Sequence, residues 1–347
     1  MDVKIADRAI GEGKPCFIIA EAGVNHNGKF SLAKKMVDTA KKAGADAIKF
    51  QIFSAERVIT KIAQKAAYQR KATGKGSQYE MLKKLELNED EFRKLAAHAR
   101  RKNIIFLASA FDEGSVDFLD ELKVLAFKVP SGEITNFPLL KHIAEKKKPI
   151  LLSTGMSTLK EVAGALSVLK AGGAREIALL HCVSDYPARA EDINLRAMDT
   201  LKRKFRLPVG FSDHTLGITV PIAAAALRAT VIEKHFTLDR KLPGPDHKAS
   251  LEPHELREMV AHIREVEKAL GDGIKRLTKS EEEVKKATRR SIVAKTDIKM
   301  GTVITPTMLT CKRPGDGLQP KFLGKVVGKV ARVDIKRDEK ITWKKIK

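Results

Sequence analysis

Eight short apolar, β-branched runs recur between residues 16 and 238, each followed by a stretch rich in Ala, Lys and Glu that leads into the next run. The runs are "CFIIAEAG" (16–23), "DAIKFQIF" (46–53), "IIFLASAF" (104–111), "VLAFKVPSGE" (124–133), "PILLSTGM" (149–156), "EIALLHCVS" (176–184), "PVGFSDH" (208–214) and "VIEKHFTL" (231–238). The intervening stretches, such as "SLAKKMVDTAKKAG" and "TLKEVAGALSVLKAGG", place apolar residues at i, i+3, i+4 and i+7 and close on Gly. Regular β–α alternation means a parallel sheet covered by helices. Eight units of this length favour a closed (β/α)8 TIM barrel over an open sheet. No G-x-G-x-x-G follows the first strand, which argues against a dinucleotide-binding fold.

Two regions break the pattern. Residues 54–90 are too many for an ordinary βα loop, so part is expected to be helical, with "TGKGS" as a mobile tip over the barrel mouth. After residue 280 a charge-rich linker (281–290) leads into 291–347, where short β-like runs alternate with Gly, Pro and Asp turns. The division expected is a barrel domain at 1–280, that linker, and a small, mostly β domain at 291–347.

Composition decides the class. Hydrophobic content of 43% and charged content of 31% describe a well-cored chain, and no apolar run reaches the roughly 20 residues of a membrane span. The N-terminus "MDVKIADRAIGEGKP" lacks a signal-peptide core. Cys16, Cys182 and Cys311 are odd in number and far apart, which is neither a disulfide framework nor a zinc spacing. A cytoplasmic protein with no membrane association is expected. The net charge of +23 raises the question of nucleic acid, but basic and acidic residues are interleaved along the chain and only 5% of residues are aromatic. No nucleic-acid partner is expected. A Lys- and Glu-rich surface also suits a hot environment, and the positive field favours a small anionic substrate.

In such a barrel the catalytic groups stand at the C-terminal ends of the strands. Here those ends carry Glu21; Lys49 and Gln51; Ser109; Lys128, Ser131 and Glu133; Ser153; Ser184 and Tyr186; Ser212 and His214; and Glu233 and His235. One strand-end Ser is usually a helix cap; eight polar strand ends in one barrel are a site. Ser212 and His214 share a strand face, as do Glu233 and His235, and adjacent strands lie about 4.8 Å apart. Two readings of the imidazoles remain open: a shared divalent metal, or a hydrogen-bonded acid–base pair. Lys49, Lys128 and the serines suit a phosphate and a carboxylate. Glu21, Gln51, Tyr186 and Asp246, the last on the Pro/Gly-stiffened "LPGPD" loop, suit a polyhydroxylated partner.

The motifs "FIIAEAGVNHNG", "IKFQ", "FKVPSGE", "LLSTGMST", "GFSDHTLG" and "EKHFTLDRKLPGPDH" closely resemble the N-acetylneuraminate (sialic acid) synthase family. The tail, with "KRPGDG", resembles the antifreeze-like SAF (β-clip) domain that ends those enzymes. The resemblance implies condensation of phosphoenolpyruvate with an N-acetylated hexose, N-acetylmannosamine or a close relative, to a nine-carbon 2-keto sugar acid with release of phosphate. It implies a divalent metal on His214 and His235, usually Mn2+, with Mg2+ or Co2+ as alternatives. By the same matching, Lys49, Ser109, Lys128, Ser131, Ser153 and Ser212 surround phosphoenolpyruvate. Ser184 joins them where some relatives have Asn. Glu21, Gln51, Tyr186 and Asp246 contact the sugar, Glu133 lies beside the reacting carbons and Glu233 supports the site. Arg313 matches an arginine donated to the partner's sugar pocket in a domain-swapped homodimer. The rival enzymes are phosphoenolpyruvate-dependent synthases of the legionaminate or pseudaminate type, or with an eight-carbon product; the SAF-like tail opposes the last. The rival outside enzymes is a carbohydrate- or nucleic-acid-binding protein on the same fold, and the full polar set opposes it.

Overall fold

A computed structural model of the chain describes residues 2–347. An antiparallel hairpin, β1 (Val3–Ile5) and β2 (Arg8–Ile10), opens the chain. The eight apolar runs then form β3 (Phe17–Gly23), β4 (Ala47–Ile52), β5 (Ile105–Ala110), β6 (Phe127–Val129), β7 (Ile150–Ser153), β8 (Ile177–Cys182), β9 (Val209–Asp213) and β10 (Val231–His235). Each pairs in parallel with the next, and β10 closes on β3, so the expected closed barrel is present.

The helices follow from sequence. Helix Phe30–Ala43 buries Ala33, Met36, Val37 and Ala40 against the barrel and stops at Gly44, whose φ of 85° suits glycine. Helix Glu89–Arg101 starts on an Asn88–Glu91 capping box and buries Phe92, Leu95 and Ala96. Such faces form one large core between strands and helices. A second, smaller core lies inside the barrel, where Phe17, Ile19, Ala47, Leu107, Leu151, Leu180 and Val231 meet Val3, Ile5 and Ile10 of the hairpin. The hairpin therefore stoppers the end opposite the site, a role that three-residue strands gave no periodic signal for.

Strand β6 is shorter than its apolar run. Pro130 has no N–H to extend the ladder, and Ser131–Glu133 turns into a 3-10 helix. The 54–90 segment holds short helices Ala55–Val58, Ala67–Thr73 and Gln78–Lys83. Its "TGKGS" tip, read from sequence as mobile, is bonded by the buried Lys65 Nζ to the carbonyls of Gly74 and Lys75 at 3.3 and 3.1 Å.

The chain divides into two units, Met1–Gly271 and Asp272–Lys347, so the division falls ahead of residue 280. Residues of the charge-rich linker belong to a solvent-exposed helix, Lys279–Thr288. The second unit pairs β11 (Ser291–Ala294) with β12 (Leu309–Lys312), adds single bridges such as Ile298 to Ile335, and packs Ile292, Ile298, Ile304, Val326 and Ile341 as its own core. Among the described residues no helix is long and apolar enough to cross a membrane.

Candidate active site

Inside the barrel the strands change chemistry toward their C-terminal ends. Ile19, Ala47, Leu107, Leu151, Leu180 and Val231 form an apolar layer. Two residues on in each strand stand Glu21, Lys49, Ser109, Ser153, Cys182 and Glu233, because side chains of a strand return to one face every second residue. Register then sets neighbours across the barrel wall: His235 beside Glu21, Glu21 beside Lys49, Ser109 beside Lys128, and Ser212 beside both Cys182 and Glu233. A cavity of about 460 Å3 opens here, lined by all the residues named from sequence except Glu133 and Arg313.

Its floor is a buried ionic array. Lys49 Nζ lies 2.6 Å from Glu21 Oε2 and 3.7 Å from Glu233 Oε2, and donates to Ser109 Oγ at 3.0 Å. Lys128 Nζ lies 3.4 Å from Glu233 Oε1, which also accepts from Ser212 Oγ at 2.9 Å. Gln51 Nε2 donates to Glu21 Oε1 at 3.4 Å. The two carboxyls differ. Burial lifts Glu21 to about 7 against the pull of Lys49. Burial also opposes ionisation of Glu233, but Lys128 and Lys49 outweigh it and hold that carboxyl below its ordinary range. Burial lowers Lys128, whereas at Lys49 the pull of Glu21 and Glu233 exceeds burial and raises it. Glu233 is thus the fixed anion, and Glu21 is the carboxyl able to take or give a proton near neutrality.

The two imidazoles stand above, ring centroids 5.5 Å apart. His214 Nδ1 donates to Val183 O at 2.7 Å, which leaves Nε2 as its free nitrogen, the usual support of a metal-binding histidine. His235 Nδ1 is buried without a partner, and burial together with the His214 and Lys49 charges pushes that ring well below its ordinary pKa. Gly23 makes room for it: a Cβ there would lie 3.2 Å from His235 Cε1 and 3.4 Å from Glu21 Oε1, and its φ is +52°. No group of three or more His, Cys, Asp or Glu that could hold a metal occurs among the described residues. The pair therefore fits a divalent ion that draws its other ligands from water or substrate oxygens, and does not fit a closed structural zinc.

Hydroxyl and backbone donors gather on one side. Gly155 N–H donates to Ser131 Oγ at 2.9 Å, Ser153 Oγ is buried with no partner, and a Cβ at Gly155 would fall 2.3 Å from Ser184 Oγ and 2.8 Å from Ser131 Oγ. Cys182 Sγ sits among Ser131 Oγ, Ser184 Oγ and His214 Nδ1 at 3.7, 3.7 and 3.8 Å. Its place two residues before Ser184 and two after Leu180 was a usable signal, and sequence reasoning passed over it. On the opposite faces of β9 and β10 the fully buried Lys234 Nζ meets Asp213 Oδ2 at 2.5 Å, and Asp213 accepts from Thr215 N–H at 3.0 Å.

Two expected residues are not among those lining the cavity. The family resemblance puts Glu133 beside the reacting carbons. Ser131–Glu133 is a 3-10 turn in which Glu133 is half-buried, and its Oε2 accepts from Asn136 Nδ2 at 2.8 Å. Arg313 follows β12 in the second unit and is exposed there. Sequence reasoning missed Tyr68, Gln69 and Gln78, which line the cavity from the 54–90 segment.

Fold and site together define a (β/α)8-barrel enzyme with an ionised, histidine-bearing mouth, followed by a small β domain. The chain belongs to the NeuB family, which matches residues 36–275, and a SAF domain matches residues 289–347. It is 51% identical over 331 residues to an N,N'-diacetyllegionaminic acid synthase of Campylobacter jejuni, covering 94% of this chain and 99% of that protein. It is 39% identical over 336 residues to the N-acetylneuraminate-9-phosphate synthase of Homo sapiens, covering 96% of this chain and 93% of that one. The crystal structure of an N-acetylneuraminic acid (sialic acid) synthetase from Leptospira borgpetersenii, in complex with citrate, superposes with a TM-score of 0.72 at 37% identity, covering 82% of this chain and 95% of the other.

Proposed function

We propose that this protein condenses phosphoenolpyruvate with an N-acetylated hexose to give a nine-carbon 2-keto sugar acid and phosphate. The observation that carries the reading is the buried Glu21–Lys49–Glu233–Lys128 array beside two imidazoles and a cluster of hydroxyls in one cavity. Lys49, Lys128, Ser131, Ser153, Ser184 and Ser212 hold the phosphate and carboxylate of phosphoenolpyruvate. A divalent ion on His214 and His235, Mn2+ in our proposal, supplies Lewis acidity to the aldehyde oxygen of the open-chain sugar. The chain holds C3 of phosphoenolpyruvate against the aldehyde carbon, and a C–C bond forms between them. Glu21, poised near neutrality, gives the proton that the former aldehyde oxygen takes. Positive charge at C2 develops beside the ionised Glu233; water adds there and loses one proton, which restores Glu21, and the bond from C2 to the phosphate oxygen then breaks while the new hydroxyl passes its proton to the departing phosphate and becomes the 2-keto group.

We further propose that the protein works in the cytoplasm as a homodimer in which Arg313 serves the sugar end of a second copy's cavity. Mixing Arg313→Ala with His235→Ala and allowing subunit exchange then restores part of the activity that each lacks; mixtures that stay dead while both variants dimerise place the site within one chain. The function itself is tested by phosphate release from phosphoenolpyruvate with Mn2+ and N-acetylmannosamine or 2,4-diacetamido hexoses. Release that depends on both sugar and metal is expected. No release with any of these sugars refutes the proposal.

A further inference from the structure

The motif "NHNG" (25–28), directly after β3, has no part in the proposed reaction, yet two of its side chains reach across to the loop between β10 and helix Pro253–Leu270 that carries Asp246. Asp246 lines the cavity and is 7% exposed, and its carboxylate makes no hydrogen bond within the protein among the described residues. Its oxygens are left for a bound molecule. What holds Asp246 in place is therefore its own backbone and the residues around it.

The first hold is the imidazole of His247. The ring is fully buried, and loss of water keeps it at about 4, so it is neutral and carries one proton. Nε2 faces the side-chain carbonyl of Asn27 at 3.0 Å, and Nδ1 faces the Thr237 hydroxyl at 2.7 Å. A carbonyl only accepts, so the proton sits on Nε2, and Nδ1 takes the hydrogen of Thr237. The turn "PGP" (243–245) closes over this contact: a Cβ on Gly244 would fall 2.6 Å from His247 Cδ2 and 2.9 Å from Asn27 Oδ1. The second hold is on the backbone. Ser250 Oγ donates to the Asp246 carbonyl at 2.7 Å and accepts from Asn25 Nδ2 at 2.9 Å, and Asn25 Nδ2 also donates to the Phe236 carbonyl at 2.9 Å. Among the described residues, Asn25 and Asn27 make the only side-chain hydrogen bonds between this loop and the chain outside residues 236–255.

Both asparagines follow the strand that bears Glu21, so the link ties the Asp246 loop to one wall of the ionic floor. Asn27 takes a φ of +53°, a backbone shape that Asn tolerates better than most side chains. A carboxylate on a loose loop would have to be ordered at every binding event, and that ordering is lost from affinity; a loop held beforehand avoids the loss.

We propose that Asn27 and His247 are positioning residues for the acceptor sugar, whose buried hydrogen bond fixes the Asp246 carboxylate at the cavity without touching substrate. This rests on the reading of the site as a phosphoenolpyruvate-dependent synthase in which Asp246 faces the sugar. The test is steady-state phosphate release by the full chain with phosphoenolpyruvate, Mn2+ and whichever of N-acetylmannosamine or the 2,4-diacetamido hexoses the wild type turns over. Asn27→Gly deletes the acceptor and keeps the backbone shape, since glycine takes positive φ freely. Gly244→Ala forces the same bond apart from the other side. Each should raise KM for the sugar by about 10-fold, with kcat and KM for phosphoenolpyruvate within about two-fold of wild type. Asn27→Asp keeps an oxygen for the Nε2 proton and should restore KM for the sugar to within about two-fold of wild type. In an Asp246→Ala background, where KM for the sugar is already raised, Asn27→Gly should add nothing, because a residue that acts through Asp246 has no effect once that carboxylate is gone. Full additivity in that background, a parallel rise in KM for both substrates, or Asn27→Asp as impaired as Asn27→Gly overturns the inference and leaves the synthase reading intact. An unmoved KM for the sugar in Asp246→Ala takes Asp246 away from the sugar and the inference with it. No release with any of these sugars overturns both the inference and the synthase reading.

Discussion

Lys234 and Asp213 are the most consequential buried pair outside the cavity, and removing one partner tests how the two histidines are held. Both side chains are fully buried; Lys234 Nζ lies 2.5 Å from Asp213 Oδ2 and also donates to the Thr215 carbonyl. Burial lowers Lys234 against the pull of Asp213. The pair brackets the site, because His214 lies between Asp213 and Thr215 while His235 follows Lys234. Lys234→Met leaves a buried carboxylate with only the N–H and hydroxyl of Thr215, and an unpaired charge of this kind costs about 3–5 kcal/mol. At about 2–4 °C per kcal/mol for a unit of this size, Tm of the barrel should fall by roughly 6–20 °C. Asp213→Asn/Lys234→Met removes both charges and keeps an acceptor for Thr215 N–H, so at least half of that loss should return, as a double-mutant cycle measures. Calorimetry gives the stabilities, and Mn2+ titration followed by electron paramagnetic resonance gives metal affinity without reference to turnover. Metal affinity should stay depressed in the double variant, because the Lys234 link to Thr215 is gone. A loss below about 1 kcal/mol in Lys234→Met, or a double variant as unstable as the sum of the singles, refutes the reasoning.

Acid should weaken the fold through His26, whose burial holds it down at about 4 against an ordinary 6.5. A depressed histidine contributes stability that is present above its unfolded value and lost as pH falls from about 6.5 toward 4, up to about 3 kcal/mol in total. Glu21 and Asp246, raised by burial to about 7 and about 6, act in the opposite sense over the same range, so the comparison is between proteins: His26→Gln should lose less stability than wild type between pH 7 and 4.5 in urea titrations, and an identical slope would exclude His26. Gly23→Ala places a methyl against His235 and Glu21 at a φ of +52°, and should cost about 1–2 kcal/mol of stability and weaken Mn2+ binding; unchanged metal affinity would remove Gly23 from the site. Lys128→Ala should raise KM for phosphoenolpyruvate far more than KM for the sugar, by roughly 10- to 100-fold for one charge-assisted contact of about 1.5–3 kcal/mol, and an unmoved KM would put phosphoenolpyruvate elsewhere.

Much of this protein was determined along the chain. Eight β–α repeats sufficed for the barrel, since each repeat is a local pattern and closure follows from their number. The period of two then sent Glu21, Lys49, Ser109, Lys128, Ser153, Ser212, Glu233 and His235 to one end of one interior, and the structure collects them there. Tertiary structure decided what local pattern could not carry. Pro130 ended β6 and turned Ser131–Glu133 into a 3-10 turn where the apolar run continued. The hairpin Val3–Ile10 became the stopper of the barrel only because the apolar layer it covers is assembled from strands up to 228 residues away, at Val231. Tyr68 became part of the cavity through its stack on Tyr186, a contact across more than a hundred residues that neither ring's neighbours announce. The ionisation of the floor is likewise a tertiary property. Glu21 and Glu233 are the same chemical group in sequence, and they part company because Glu233 lies between two lysines while Glu21 has one and deeper burial to overcome.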